Sequence, residues 1–200
     1  MLKSAGVDCW GDQEGITGVH GHFLGHIDGK CRGVQEDIYE EHLLEIKTMS
    51  EKNFKDINKK KLKQSKPVYF AQTQIYMKKL KLNKCLFIAV NKNDDSLYIE
   101  IINFDEGFAD DLERKAEIII LSDAPPKKEY KPTWYECKWC SAKEICHKDM
   151  QVEVNCRTCT SCDILPEGKW ECSKHGIPLT IEQQRVGCSH HAFLECFIKD

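Results

Sequence analysis

Cysteine placement constrains this chain more than any other feature. Of its twelve cysteines, nine lie beyond residue 130. They fall in short repeats: Cys137-x2-Cys140 followed by Cys146, Cys156-x2-Cys159 followed by Cys162, Cys172-x2-His175, and Cys188-x2-His191. Paired ligands at that spacing can grip one ion from a single turn, which makes them a strong metal signal. The last fifty residues carry few large apolar side chains, and so small a fold commonly needs a staple in place of a core. The N-terminus MLKSAGVDCW lacks the basic flank and apolar stretch of a signal peptide, and no apolar run is long enough to span a bilayer. A cytoplasmic chain is therefore expected. In that reducing setting clustered cysteines hold metal more often than they form disulfides.

Residues 154–191 accordingly read as a zinc-binding module, with zinc in a structural role. Cys156, Cys159, Cys172 and Cys188 are the favoured ligands, with His175 and His191 as substitutes and Cys162 and Cys196 as spare thiols. Thr180 opens a short helix carrying Gln183 and Gln184. Trp134 and Trp139 are expected to pack the cysteine knuckle of residues 133–150 against the core. The chain thus divides into a core over 1–132, the knuckle over 133–150 and the zinc module over 151–200, with a charged, proline-rich linker at Asp123–Pro132.

The first two thirds can build a conventional core, since apolar residues make up 41% of the chain. Side chains on a strand alternate faces. A strand over His22–Asp28 would put Leu24, His26 and Asp28 on one face and end at a Gly29-Lys30 turn. A second strand over His42–Thr48 would put Leu43, Glu45 and Lys47 on one face and Leu44, Ile46 and Thr48 on the other. Gly29–Glu40 between them is a hairpin connection or a short extra strand. Asp28, Glu45 and Lys47 could then converge, and two acids with a lysine can bind a divalent cation and activate water beside a phosphate. In isolation Glu-x-Lys is usually only a solvated pair on an edge strand. His20 and His22 read as exposed turn histidines.

Glu51–Lys66 holds seven lysines against two acids. It reads as a solvated or disordered loop that could also contact nucleic-acid phosphates. The net charge of −3 gives no global signal for such a partner. Val68–Leu82, after Pro67, reads as a helix with Val68, Ala71, Ile75 and Leu82 in an apolar stripe and Gln72 and Tyr76 on one face. Cys85–Val90 is a continuous apolar run, expected as a covered central strand with Cys85 in the core, and Leu97–Ile102 alternates as a more exposed one. Phe108, Leu112, Ala116 and Ile119 form a further helical stripe. The order suggests an α/β (α+β) fold, a mixed sheet with flanking helices.

Asp28, a loop, then Glu45-x-Lys47 resembles the PD-(D/E)XK nuclease superfamily. Gln72-Thr-Gln-Ile-Tyr76 resembles the Q-x-x-x-Y motif of its RecB and Cas4-like branch. Cys137-x2-Cys140-x5-Cys146 resembles the cysteine trio of that branch's iron–sulfur members. The likeness runs from about Gly21 to Cys146 and is nearest to phage-encoded Cas4-like exonucleases, which can carry a Cys/His tail. It implies a restriction-endonuclease-like fold and a metal-dependent deoxyribonuclease, an exonuclease acting on single-stranded DNA ends. It further implies that Asp28, Glu45 and the backbone carbonyl of Ile46 hold Mg²⁺ or Mn²⁺, while Lys47 orients the attacking water. Gln72 and Tyr76 would order the site or hold the DNA backbone. Cys137, Cys140 and Cys146 would hold a [4Fe–4S] cluster with a fourth thiolate, for which Cys9 is the upstream candidate. Zinc on the same three residues with His147 or a ligand borrowed from elsewhere is the competing reading. The family's leading helical region, which supplies a further metal ligand, has no counterpart before the first strand. That suggests a shortened member or a fragment, and as alternatives a catalytically impaired DNA-binding or scaffold protein with structural zinc, or a zinc-dependent interaction module.

Overall fold

The computed structural model describes residues 2–124, 130–148 and 150–198. They form two compact units, Met1–Val19 with Phe23–Ala116, and His20–His22 with Glu117–Asp200. The knuckle and the Cys/His tail fall in the second.

The first unit is built on a five-stranded mixed sheet in the order β1-β4-β5-β6-β7. Its strands are β1 (Asp8–Trp10), β4 (Gly29–Arg32), β5 (His42–Met49), β6 (Lys84–Asn91) and β7 (Leu97–Asn103). β5 and β6 are parallel, and the other neighbours are antiparallel. A parallel pair needs a crossover, which α1 (Glu51–Ser65) and α2 (Pro67–Leu80) supply. A separate hairpin joins β2 (Gly15–Gly18) to β3 (Phe23–His26), and α3 (Glu106–Leu121) follows β7. One face of the sheet carries Leu43, Cys85, Phe87, Ala89 and Ile102, packed with Ile57 and Leu62 of α1 and Phe70, Ile75 and Met77 of α2. The other face carries Leu44, Leu86 and Ile88 with Val7, Cys31 and Val34. This is the mixed, helix-flanked sheet expected, and the apolar run over Cys85–Val90 lies in β6, an interior strand next to the middle strand β5.

Several local expectations change. Strand β3 stops at His26, and Asp28 stands immediately before β4 rather than at a turn. The lysine-rich stretch is a helix, not a loop. Ile57 and Leu62 are fully buried and Phe54 packs beside them, so three apolar residues spaced to share one face anchor an otherwise charged segment. The helix breaks at Lys61, whose φ of 63° is left-handed, and Glu100 of β7 accepts the next amide, Leu62 N–H, at 2.9 Å. The expected stripe holds in part: Ile75 and Leu82 are buried, but Val68 is 75% exposed, and Phe70, Thr73, Gln74 and Met77 are buried as well. On α3, Phe108 and Leu112 pack inward as expected, but Ile119 is exposed.

The second unit has little core. Its small antiparallel sheet runs β10-β9-β8, from β8 (Cys162–Ile164), β9 (Trp170–Cys172) and β10 (Ile177–Pro178). Helices α4 (Lys143–Lys148) and α5 (Ile181–Arg185) complete it, and the Thr180 side chain caps α5 by accepting Gln183 N–H. Arg157 lies over the Trp170 ring, 4.7 Å from its centroid, and donates to Gln184 Oε1. His22 is half-buried, its ring edge-on to Trp170 and its Nε2 2.8 Å from the Leu165 carbonyl, so it is no exposed turn residue. Trp139 is 89% exposed and Trp134 40%, so neither is packed away as expected. Part of the linker, 125–129, lies outside the described residues.

Candidate functional site

Antiparallel register sets the first site. Gly29 of β4 pairs with Leu44 of β5, so Asp28 arrives opposite Glu45. Beyond Leu44, β5 keeps β6 on one side but has no ladder partner on the other. Asp28 fills part of that open edge, accepting the Ile46 N–H on Oδ2 at 2.8 Å. N–H and C=O of one strand residue point the same way, as paired residues exchange both bonds. The Ile46 carbonyl is therefore directed to the edge that Asp28 occupies. Lys47, two residues past Glu45, shares its face. Its Nζ pairs with Glu45 Oε1 and lies 3.9 Å from Asp28 Oδ2.

Glu45 is fully buried. Its Oε1 pairs with Lys47, and its Oε2 has no polar partner among the described residues. Leaving such a group unpaired costs free energy, so it marks a place where a cation fits. Burial raises the Glu45 pKa, Lys47 pulls it down, Asp28 adds to the rise, and the balance is upward. Burial works against the Lys47 charge, but the hydrogen bond and charge of Glu45, then Asp28, outweigh it and raise its pKa. Lys47 therefore stays an ammonium. Tyr69, in the first turn of α2, lies with its ring centroid 5.6 Å from Lys47 Nζ. No motif singled it out; its position one turn before Gln72 was the available signal.

Gln72 and Tyr76 meet as helical spacing requires, Gln72 Nε2 donating to Tyr76 Oη at 3.1 Å. Strand β3 lies so close that a Cβ on Gly25 would sit 2.8 Å from that oxygen, so only glycine fits there. The pair edges an apolar cavity of about 300 Å³ lined also by Phe23, Leu24, Val68 and Ile75.

The second site is in the Cys/His tail. Cys162 of β8 pairs directly with Cys172 of β9. These two, with Cys156, Cys159, Cys188 and His191, line a cavity of about 20 Å³. Burial raises the Cys156 pKa, and the thiols of Cys159, Cys172 and Cys188 add to it. Cys162 is pushed to about 11, by burial first and then by Cys156 and Cys159. The four favoured ligands thus line one cavity, and Cys162, expected as a spare thiol, lines it with them, but among the described residues no three of these thiols lie within 4.8 Å of one another. His175, Cys188 and His190 are exposed, with ligand atoms all within 4.8 Å of one another. His175 Nε2 is 3.8 Å from Cys188 Sγ. His190 is absent from the expected set because the Cys188-x2-His191 spacing favours its neighbour. His191 Nε2 instead lies 3.1 Å from Thr158 Oγ1. Cys196, the other expected spare, has its thiol 3.1 Å from the Asp123 carbonyl. This donor set of soft thiols and imidazoles can hold a metal such as zinc.

Cys137, Cys140 and Cys146 all lie in the knuckle, with the Cys140 N–H 3.4 Å from the Cys137 carbonyl. Among the described residues their thiols do not form a group within 4.8 Å. Cys9 sits on β1 opposite Cys31, in the first unit.

No protein-family model matches this chain. No curated protein matches it. Among solved structures, one described as "Crystal structure of SSO0001" aligns over 75% of this chain and 67% of that chain, at 20% identity and a TM-score of 0.40. A likeness of that degree carries no argument. Among the described residues, no helix is long and apolar enough to cross a membrane.

Proposed function

We propose that the chain is a metal-dependent deoxyribonuclease of the PD-(D/E)XK, Cas4-like type, an exonuclease hydrolysing phosphodiester bonds at single-stranded ends. The observation that carries the reading is the buried Glu45 carboxylate with Oε2 unpartnered, beside Asp28 and the charged Lys47. Asp28, Glu45 and the Ile46 carbonyl are hard oxygen donors that suit Mg²⁺ or Mn²⁺. Such an ion, when bound, lowers the pKa of water and offsets phosphoryl charge. Lys47 would orient the attacking water and stabilise charge on the phosphate oxygens. Water adds to phosphorus, the P–O bond to one sugar breaks, and a phosphate and a hydroxyl end remain.

Lys52, Lys59 and Lys61 on α1 are exposed and have no acidic partner among the described residues, so they are free to replace counterions on a DNA backbone. Gln72 and Tyr76 would support the strand entering the site. In the tail, zinc held mainly by Cys156, Cys159, Cys172 and Cys188 would have a structural role. Cys137, Cys140 and Cys146 remain ligands for an iron–sulfur cluster or a second zinc, which visible absorbance and elemental analysis distinguish.

The test is incubation with labelled single- and double-stranded DNA in Mn²⁺. Shortening of the single strand is expected, with none by Asp28→Ala and loss of about 10²–10³-fold by Lys47→Ala. Cleavage retained by Asp28→Ala ends the proposal. Binding without cleavage by the unaltered chain supports the DNA-binding scaffold instead.

A further inference from the structure

The knuckle displays aromatic rings that remain largely exposed. Tyr130, Trp134, Tyr135 and Trp139 are 52%, 40%, 61% and 89% exposed. Burying a large ring is among the stronger stabilisers available to a small unit, so four solvated rings within ten residues need an outside partner. They are also ordered by tight turns. Trp134 N–H bonds to the Lys131 carbonyl at 2.9 Å, and Trp139 N–H to the Glu136 carbonyl at 3.2 Å. The Cys137–Cys140 turn leaves Lys138 and Trp139 as its two central residues, directed outward. Tyr130 and Trp134 already stack, with ring centroids 4.9 Å apart and planes within 11°.

Basic residues interleave with the rings. Lys131 and Lys138 are exposed and have no acidic partner among the described residues. Glu136 is the acid between them, and it accepts a hydrogen bond from the Tyr135 hydroxyl at 2.9 Å. Rings carrying π-faces, alternating with cations, complement a polyanion whose flat bases are unpaired. A duplex hides those faces in its own stack, and an acidic peptide offers charge but no flat faces to stack on the rings.

We propose that Tyr130–Cys140 is a stacking platform for an unpaired nucleic-acid strand, with Trp139 taking a base on its open face and Lys131 and Lys138 meeting phosphates. The surface is argued from its own rings and charges; that the strand is DNA rests on the proposed function.

The test uses the full metal-replete chain carrying Asp28→Asn, so that binding is read without cleavage. Fluorescence anisotropy with labelled oligo(dT), oligo(U) and a DNA duplex of equal length would measure affinity, and tryptophan emission would report stacking. Adding Trp139→Ala should weaken oligo(dT) binding roughly 5–100-fold, as loss of one stacked base does, and change duplex binding less than about twofold. Trp139→Phe should restore most of the affinity. Equal loss on oligo(U) supports the platform while showing that it does not read the sugar. An unchanged oligo(dT) affinity, or equal losses on duplex and single strand, overturns the inference. Failure here with Asp28-dependent cleavage intact would remove the platform and leave the nuclease reading standing.

Discussion

The sheet unit and the cysteine-rich unit hold their chains together by different means. The first buries Leu43, Ile57, Leu62, Met77, Phe87 and Ile88 almost completely. Among the described residues of the second, Cys172 is the one buried apolar residue, and polar Gln184 is the other buried side chain. Yet the second gathers Cys156, Cys159, Cys162, Cys172 and Cys188 around one small cavity. Apolar burial can fold a chain in any buffer, whereas ligand convergence folds one only when the ion is present. The same contrast extends to the two sites. One candidate site offers hard oxygen donors on the sheet, the other soft thiol and imidazole donors in a unit with little core.

The largest effect should come from stripping the tail metal with a chelator. Bound zinc contributes on the order of 10 kcal/mol to small metal-dependent folds. Hydrogen exchange should show amides over 154–191 losing protection while those of β5 and β6 keep theirs. Loss in both regions, or in neither, would erase the contrast. Next comes the converse change, Phe87→Ala, which empties the centre of the sheet's helix-facing side. It should cost about 3–5 kcal/mol in the urea unfolding of the first unit and leave zinc content unchanged.

A smaller effect concerns pH. The Glu45 carboxyl titrates above its ordinary value of 4.5, chiefly through burial. The folded state therefore holds that proton more tightly than the unfolded chain. Its contribution to metal-free stability is full below the unfolded value and is lost as pH rises through the raised one. Glu45→Gln should flatten that slope in urea titrations across acidic pH. Mn²⁺ affinity should run the other way, falling as pH falls through the same value, because the cation needs the carboxylate. The smallest effect expected is from Tyr76→Phe, which removes the acceptor of Gln72 and should cost about 1 kcal/mol in thermal unfolding.

Much of the sheet unit was legible because its signals are periodic. Leu43, Glu45 and Lys47 do share a face, and Cys85–Val90 is a covered interior strand, next to the middle one. The lysine helix was hidden because charge dominates its composition, and only the spacing of Phe54, Ile57 and Leu62 betrays its buried side. Asp28 was placed on the wrong element, at the end of one strand instead of the entry to the next. It still reaches Glu45, because the β4–β5 register and not the strand boundary brings them together. In the tail, repeat spacing identified the ligand types but not the partition between them. Cys162 joins the thiols through its cross-strand partner Cys172, a relation that no local spacing encodes. His190 stands with His175 and Cys188 although His175 is distant in the chain, a proximity that no local spacing encodes either.

The central claim is that Asp28 and Glu45 share a hard cation, and Mn²⁺ binding to the zinc-replete chain, followed by electron paramagnetic resonance, tests it most directly. The account predicts a Mn²⁺ site that is lost in Asp28→Ala and in Glu45→Gln while the tail keeps its metal. A Mn²⁺ signal unchanged by both substitutions would contradict it.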